Sequence, residues 1–247
     1  MRMLRNAPAA FVAVLMLGAI ASASASAAAC TVETGGKLPV YCVGPKTDQD
    51  GTLTNETVKS NRGPFQLITA GGGFNIECSA EADTAEISSS EAAAGTSKNV
   101  KIAFTGCKVE GTSTFRCTVT DAVGEVPGTI TVPATTSALK TVGGKIYDVF
   151  GPEGGTFVTI EIDQVTGQVC APKSPALAMK GQPCGEASLT LAKEAPLTFS
   201  SAIQTECGAE LYYGGAKSGW LQGISKQELL GAFEAANKGA EWAVMLT

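Results

Sequence analysis

Apolar and polar residues alternate with a period of two along much of the chain, which is typical of strands with one buried and one solvent-facing side. Val100, Ile102 and Phe104, for example, alternate with Lys101 and Ala103. Clusters of Gly, Pro and Asp separate such segments, so we predict an all-β fold, an antiparallel sandwich or an open barrel. The other segments with this pattern are residues 65–70, 74–79, 115–120, 129–132, 158–163, 188–192, 197–203 and 210–213.

One short helix is predicted near the C-terminus. Ser225 can cap a helix N-terminus, and Glu228 three residues later completes a capping box. The apolar segment 242–246 that ends the chain fits either a closing strand or a docked tail. The apolar stripe of the predicted helix consists of Leu229, Leu230, Phe233 and Ala236.

Residues 1–29 have the features of a secretory signal peptide. Arg2 and Arg5 precede an apolar stretch at 11–20, and a run of Ala and Ser then offers cleavage sites. The apolar stretch is too short to span a bilayer, which takes roughly 20 residues. We expect a secreted protein, extracellular or cell wall associated, with no membrane span. Lipidation of Cys30, which follows the last cleavage site, is the alternative to cleavage and release.

An even number of cysteines in an exported chain predicts disulfides. A sequence pattern occurs twice, at Cys78 and at Cys117. In each case a Cys on a predicted strand is followed eight residues later by Glu-Ile or Glu-Val. If each of these closes on the next unpaired Cys, the bonds are Cys78–Cys107 and Cys117–Cys170, which leaves Cys30–Cys42 and Cys184–Cys207. Eight cysteines allow 105 pairings, so the connectivity stays open.

The 247 residues suffice for one sizeable core. The expected organisation is a signal peptide at 1–29, an N-terminal disulfide loop segment at 30–62, a β domain at 63–222, and a C-terminal helix and tail at 223–247.

Composition excludes several functions. The chain has no His, which rules out Ser-His-Asp and Cys-His catalysis. Its 18 Lys and Arg stand against 23 Asp and Glu, and this net charge of -5 argues against nucleic-acid binding. No C-x-x-C occurs, and the calcium-like Asp48-Gln49-Asp50 lacks the acids that such a loop needs at its ends. We expect no metal and no cofactor.

Three large aromatic residues, Tyr212, Tyr213 and Trp220, lie within nine positions of one another. Exposed rings on a sheet can stack on sugars or anchor a protein partner, whereas core packing is the alternative. We therefore name these three as the candidate ligand-binding residues.

Catalysis without His would need two carboxylates, as in glycoside hydrolysis. The strand-borne candidates fall on the polar, outward side of their strands where the alternation can be followed, so we predict no catalytic residue. Ser137-x-x-Lys140 matches a nucleophile motif of penicillin-recognising enzymes but lacks the accompanying motifs. The acids considered are Glu77, Glu86, Glu125, Glu161 and Asp163.

Two sequence segments form a distinctive combination. The first, Phe65–Cys78, ends in Gly-Gly-Gly-Phe-Asn-Ile-Glu-Cys, and the second, Lys98–Cys107, contains Asn-Val-Lys-Ile-Ala-Phe-Thr-Gly-Cys. Together with Cys117 and Gly-Glu-Val at 124–126, the region at about 63–130 resembles uncharacterised secreted proteins of high-GC Gram-positive bacteria. The resemblance implies export and a β fold, and it implies no site residues.

Two classes of function follow. The first is a secreted or cell-envelope-associated, non-enzymatic structural or binding module, with an envelope or polysaccharide surface as its partner. The second is a secreted glycoside hydrolase that uses two carboxylates. A disulfide-rich inhibitor is a third, weaker option.

Overall fold

A computed structural model of the chain describes residues 38–43, 53–61, 63–69, 75–90, 93–110, 118–121, 126–163, 177–190, 192–208, 211–213, 216–230 and 241–246. The signal-peptide segment, the calcium-like sequence at 48–50 and the cysteines at 30, 117 and 170 lie outside these residues, as does the side chain of Cys42.

The described residues form 18 strands and one short α-helix, besides a single turn of 3-10 helix at Glu153–Gly155. The first nine strands are β1 Pro39–Val43, β2 Leu53–Asn61, β3 Phe65–Thr69, β4 Asn75–Cys78, β5 Ala80–Ser90, β6 Ala93–Thr105, β7 Lys108–Glu110, β8 Thr118–Asp121 and β9 Thr129–Thr131. The others are β10 Thr135–Val142, β11 Lys145–Pro152, β12 Thr156–Asp163, β13 Leu177–Gly181, β14 Cys184–Ala187, β15 Ala195–Phe199, α1 Ser201–Glu206, β16 Leu211–Tyr213, β17 Ala216–Leu230 and β18 Trp242–Leu246.

Eight of these strands close an antiparallel barrel, in the order β2, β5, β6, β10, β11, β14, β15 and β17, with β17 pairing back onto β2. The long strand β17 also takes part in a second circuit of pairings, which runs from β17 through β16, β13, β12, β8, β7, β4 and β3 and returns to β17. The eight barrel strands follow one another around the ring in chain order, although other strands intervene between several of them along the chain, and the closed ring leaves no open edge.

Large apolar side chains fill the barrel. The Phe65 ring lies 5.5 Å from that of Phe104 and 5.6 Å from that of Phe199. Gly223 stands opposite Phe65 in the strand pairing, and a Cβ at this position would approach the Phe65 ring to 2.8 Å. The glycine thus makes room for the ring. Other fully buried side chains in the core are those of Leu67, Ile76, Ile130, Ile146, Phe157, Ile160 and Met179.

A two-stranded ribbon of β1 and β18 packs onto the barrel. Tyr41 and Trp242 are buried with ring centroids 6.2 Å apart, and both belong to the main core. The Trp242 indole N–H donates to the backbone oxygen of Gln227 at 3.0 Å, while the Ser89 hydroxyl donates to that of Tyr41. The segment 242–246 is therefore a strand, which decides between the two alternatives left open by the sequence.

The short helix near the C-terminus lies earlier than expected. It is α1, Ser201–Glu206, whose N-terminus is capped by the Ser200 hydroxyl, and it interrupts the strand predicted at 197–203. The helix predicted from Ser225 is wrong over residues 225–230, which belong to β17. Backbone pairing with β15 and β2 outweighs the local capping signal there.

The barrel also extends beyond the boundaries expected for the β domain. β2 precedes residue 63 and the end of β17 follows residue 222, yet both strands belong to the closed ring. In the segment predicted as a strand at 188–192, residues 188–190 are not in a strand and Ala192 forms an isolated bridge to Trp242. No helix among the described residues is long and apolar enough to cross a membrane.

Two disulfides are present among the described residues, Cys78–Cys107 and Cys184–Cys207. Both are pairings that the repeated sequence pattern favours. The first joins the end of β4 to the residue before β7, and the second joins β14 to the residue after α1. All four cysteines are buried, the first pair in the main core and the second in a smaller cluster with Tyr147 and Ile203.

Candidate functional site

The three candidate aromatic residues lie on two adjacent strands. Tyr212 and Tyr213 are in β16, opposite Lys217 and Ala216 of β17, and Trp220 follows further along β17. The Trp220 side chain is half-buried on the outer side of the barrel, since its neighbour Leu221 points into the core. Trp220 faces away from the core and is the accessible ring among the described side chains of this group.

Trp220 is part of a mixed apolar and amide surface. It pairs with Ile68 of β3, which in turn pairs with Asn75 of β4, while Gln222 pairs with Gln66 in the next row. Paired residues share one side of a sheet. Asn75 and Gln222 are exposed, and the other three are half-buried. We call these five residues the β3–β17 face.

Amide side chains both donate and accept hydrogen bonds, and an indole ring offers a flat apolar surface. An ion pair borders the β3–β17 face, because Glu77 pairs with Gln66 across the strands and lies 3.7 Å from Lys108. The face is thus uncharged within and polar at its rim. This combination suits a flat ligand that carries hydroxyl groups.

The acids that the sequence suggested do not converge among the described residues. Glu77 is paired with Lys108, and Glu86 with Lys98 at 3.6 Å on another strand pair. Glu161 is exposed on β12. Glu125 and the side chain of Asp163 lie outside the described residues.

Three other acids are buried inside the barrel, namely Glu81, Asp83 and Asp148. The alternation of Ile76 and Cys78 would place residues 80, 82 and 84 inside. The chain shifts by one residue at Ser79, between β4 and β5, so that Glu81 and Asp83 point inward instead. Ile87 could have revealed these positions, because it lies on the same side of β5 as Glu81 and Asp83 and an apolar residue there indicates that this side faces inward.

Glu81 and Asp83 belong to one polar cluster with Ser60, Ser225 and Gln227. The Ser60 hydroxyl donates to Glu81 Oε2 at 2.7 Å, and the Gln227 amide donates to Asp83 Oδ2 at 3.3 Å. The Ser225 hydroxyl lies 2.7 Å from that of Ser60 and 3.4 Å from Asp83 Oδ2. We call these five residues the interior carboxyl cluster.

Burial sets the protonation of the interior carboxyl cluster. It raises the pKa of Glu81 to about 9, and the neighbouring Asp83 carboxyl group adds to the rise. Burial also raises the pKa of Asp83, against the opposing effect of hydrogen bonds from Gln227 and Ser225. At least one of the two carboxyl groups is therefore protonated near neutral pH.

Asp148 belongs to a second cluster of polar side chains, which lies beneath the β1–β18 ribbon. The Tyr41 hydroxyl donates to Asp148 Oδ2 at 3.4 Å, and the hydroxyls of Ser97 and Ser137 are hydrogen-bonded to each other. Burial raises the pKa of Asp148 to about 6. Ser137 is thus buried on β10, while Lys140 is exposed and donates to a backbone oxygen, so the nucleophile motif is not assembled.

The interior acids have little space around them. The cavity beside Glu81 and Asp83 measures about 10 Å³, which is room for roughly one water molecule. Five Phe side chains form much of its wall. The two carboxyl groups are linked through the hydroxyls of Ser60 and Ser225, whereas glycoside hydrolysis takes two carboxyl groups with the substrate between them. No sugar can enter between them.

Among the described residues, no group of three or more His, Cys, Asp or Glu side chains could hold a metal ion. The chain matches none of the known protein families, none of the curated proteins and none of the solved structures with which it was compared.

Proposed function

We propose that the protein is a secreted or cell-envelope-associated, non-enzymatic binding module that holds a polysaccharide surface through the β3–β17 face. The observation that carries this proposal is the half-buried Trp220 ring, which shares one side of the sheet with Ile68 and with the amide groups of Asn75, two strands away, and Gln222, two positions along β17. Stacking on the ring and hydrogen bonds to the amides are the interactions that a sugar offers.

The interior of the barrel supports a non-enzymatic role. Asp148 has a raised pKa but is buried beneath the β1–β18 ribbon. Glu81 and Asp83 also have the raised pKa values that acid–base chemistry requires. They face a cavity the size of a water molecule and not a cleft. The acids on the outside, Glu77 and Glu86, are paired with lysines on separate strand pairs.

Several features favour a location outside the cytoplasm. The disulfides Cys78–Cys107 and Cys184–Cys207 are of the kind that persists in oxidising compartments. The signal-like sequence of residues 1–29 and the resemblance of 63–130 to exported proteins of high-GC Gram-positive bacteria agree with this location.

Replacing Trp220 by alanine is expected to weaken polysaccharide binding about tenfold, which corresponds to about 1.4 kcal/mol. The physical reason is the loss of the stacking surface, while the barrel core stays intact because the ring points outward. Binding isotherms of the mature protein, residues 30–247, on insoluble cell walls, cellulose and chitin measure the effect by depletion from solution.

The matched control is Leu189→Ala, which removes an exposed apolar side chain outside the β3–β17 face. It should bind as the unmodified protein does. Equal binding of Trp220→Ala and the unmodified protein, or no retention of the unmodified protein on any of these surfaces, would reject the proposed function.

We further expect no hydrolysis of chromogenic glycan, ester or peptide substrates by the purified mature protein. A panel of such substrates tests this against a mock purification. Turnover above the mock that is abolished by one or two Glu→Gln changes at Glu77, Glu86, Glu125 or Glu161 would establish the hydrolase alternative and identify its catalytic pair.

A further inference from the structure

The interior carboxyl cluster ties together the seam at which the barrel closes. Ser60 belongs to β2, Glu81 and Asp83 to β5, and Ser225 and Gln227 to β17. β2 is the first strand of the barrel ring and β17 the last, and they pair directly. The hydroxyls of Ser225 and Ser60 meet across this pairing at a separation of 165 residues along the chain. The cluster therefore links the two ends of the barrel.

The cluster lacks a positive charge. No Lys or Arg is among the buried residues of the described chain. Asp83 Oδ1 is buried and receives no hydrogen bond from Ser, Gln or backbone donors. Two ionised carboxylates that are joined by a pair of hydroxyls in an interior lined by Phe side chains would repel each other and stay unsolvated. A proton held between Glu81 and Asp83 removes one charge and supplies the missing donor.

We propose that Glu81 and Asp83 share one proton, and that loss of this proton at alkaline pH loosens the seam between β2 and β17. The barrel is then an acid-stable fold with a pH-sensitive closure. The device consists of the carboxyl pair, the hydroxyls that it bonds, and the two strands that those hydroxyls join.

The neighbouring groups strengthen the effect. From β11, Asp148 faces the same interior, and its charge interacts unfavourably with that of Asp83. From β1, the Tyr41 hydroxyl contacts Asp148 and stays protonated, because burial raises its pKa well above the usual value. The apolar side chains around the cavity, from Phe65 to Leu221, carry no charge. The hydrogen bonds from Ser60, Ser225 and Gln227 favour the ionised forms, but burial outweighs them and the pKa of both carboxyl groups is raised.

The direction of the pH dependence follows from linkage. The pKa of Glu81 is about 9 in the folded chain against 4.5 ordinarily. The stabilisation is complete below the lower value and is lost as the pH rises to the higher one. Asp148, with a pKa of about 6, adds a loss that ends near that pH. Between pH 6 and 9 the shared proton is the main contributor.

Urea unfolding of the mature protein between pH 5 and pH 9.5 tests the proposal. The unfolding equilibrium constant should rise about tenfold per pH unit from roughly pH 6 to 8, where Asp148 no longer contributes. In Glu81→Gln, whose amide can donate to Asp83 without titrating, this rise should shrink to less than about twofold per unit above pH 6. Glu86→Gln, on the outer side of the same strand, should keep the unmodified slope.

If Glu81→Gln does not fold, the comparison of the unmodified protein with Asp83→Asn tests the proposal. Asp83→Asn should also flatten the dependence of the unfolding equilibrium constant on pH. Hydrogen exchange locates the effect. After correction for the intrinsic pH dependence, amides at 57–60 and 227–230 should lose at least tenfold in protection between pH 6 and 9. Amides of the β10–β11 pair, at 137–141 and 146–150, should change less.

Three results would overturn the proposal. The first is a flat stability profile of the unmodified protein between pH 6 and 9. The second is an equal loss of protection in the seam and in the β10–β11 pair. The third is a pH profile that one of two salts, calcium chloride or sodium chloride, flattens while the other at the same ionic strength does not. That result would place a cation where the proton is proposed.

Discussion

Replacing Phe65 by alanine is expected to reduce the free energy of unfolding by about 3 to 5 kcal/mol. The Phe65 ring is buried, it contacts the rings of Phe104 and Phe199, and it covers Gly223 on the neighbouring strand. Alanine would leave a cavity that four different strands line, and a closed barrel cannot collapse around it without breaking strand pairing. The melting temperature should fall by about 6 to 20 °C.

Urea and thermal unfolding of a protein that comprises residues 30–247 measure this loss. The matched control is Gln66→Ala, which alters the next residue of β3 on the outer side and should change the stability by less than about 0.5 kcal/mol. A loss below about 1 kcal/mol for Phe65→Ala, or an equal loss for both variants, would contradict the arrangement of side chains in the barrel.

Replacing Cys78 and Cys107 together by alanine is expected to cost about 3 to 4 kcal/mol on the chain-entropy estimate. The bond closes a loop of 29 residues between β4 and the start of β7, so its removal enlarges the unfolded ensemble. Both residues are buried, and the exchange also removes sulfur atoms from the core. We expect a fall of about 6 to 16 °C in the melting temperature.

Thermal unfolding with and without reductant checks this effect, and peptide mapping of the alkylated protein verifies the bond. Reductant should lower the melting temperature of the unmodified protein at least as far, because it also opens Cys184–Cys207. Free thiols at Cys78 and Cys107 in the oxidised protein, or an unchanged melting temperature of the double variant, would contradict the prediction.

These two predictions and the pH dependence all concern the stability of the barrel. Phe65 and the disulfide stabilise the barrel irrespective of pH, whereas the interior carboxyl cluster does so only while it holds its proton. The β3–β17 face lies on the outside of the strands that Phe65, the disulfide and the interior carboxyl cluster stabilise. If the proposed function holds, Trp220→Ala loses polysaccharide binding without a change in stability, because the ring lies on the outside of the barrel.

The sequence by itself determined the all-β class, since alternation at Val100, Ile102 and Phe104 requires a sheet with one buried side. The equal spacing of Cys78 and Cys117 to the following Glu favoured the Cys78–Cys107 pairing. Signals of this kind are local, because they depend on a few consecutive residues whose side chains differ strongly in polarity.

Only the tertiary structure decided which side of the polar strands faces inward. In β5 the inward positions hold Glu81 and Asp83, and in β17 they hold Ser225 and Gln227, so hydrophobicity alone could not distinguish the two sides. The one-residue shift at Ser79 reverses the alternation that Cys78 sets. Ser225 likewise has the local signals of a helix cap, yet it lies in a strand because β2 and β15 pair on both sides of β17. The partners that satisfy these polar groups come from distant parts of the chain, and closure of the barrel is what brings them together.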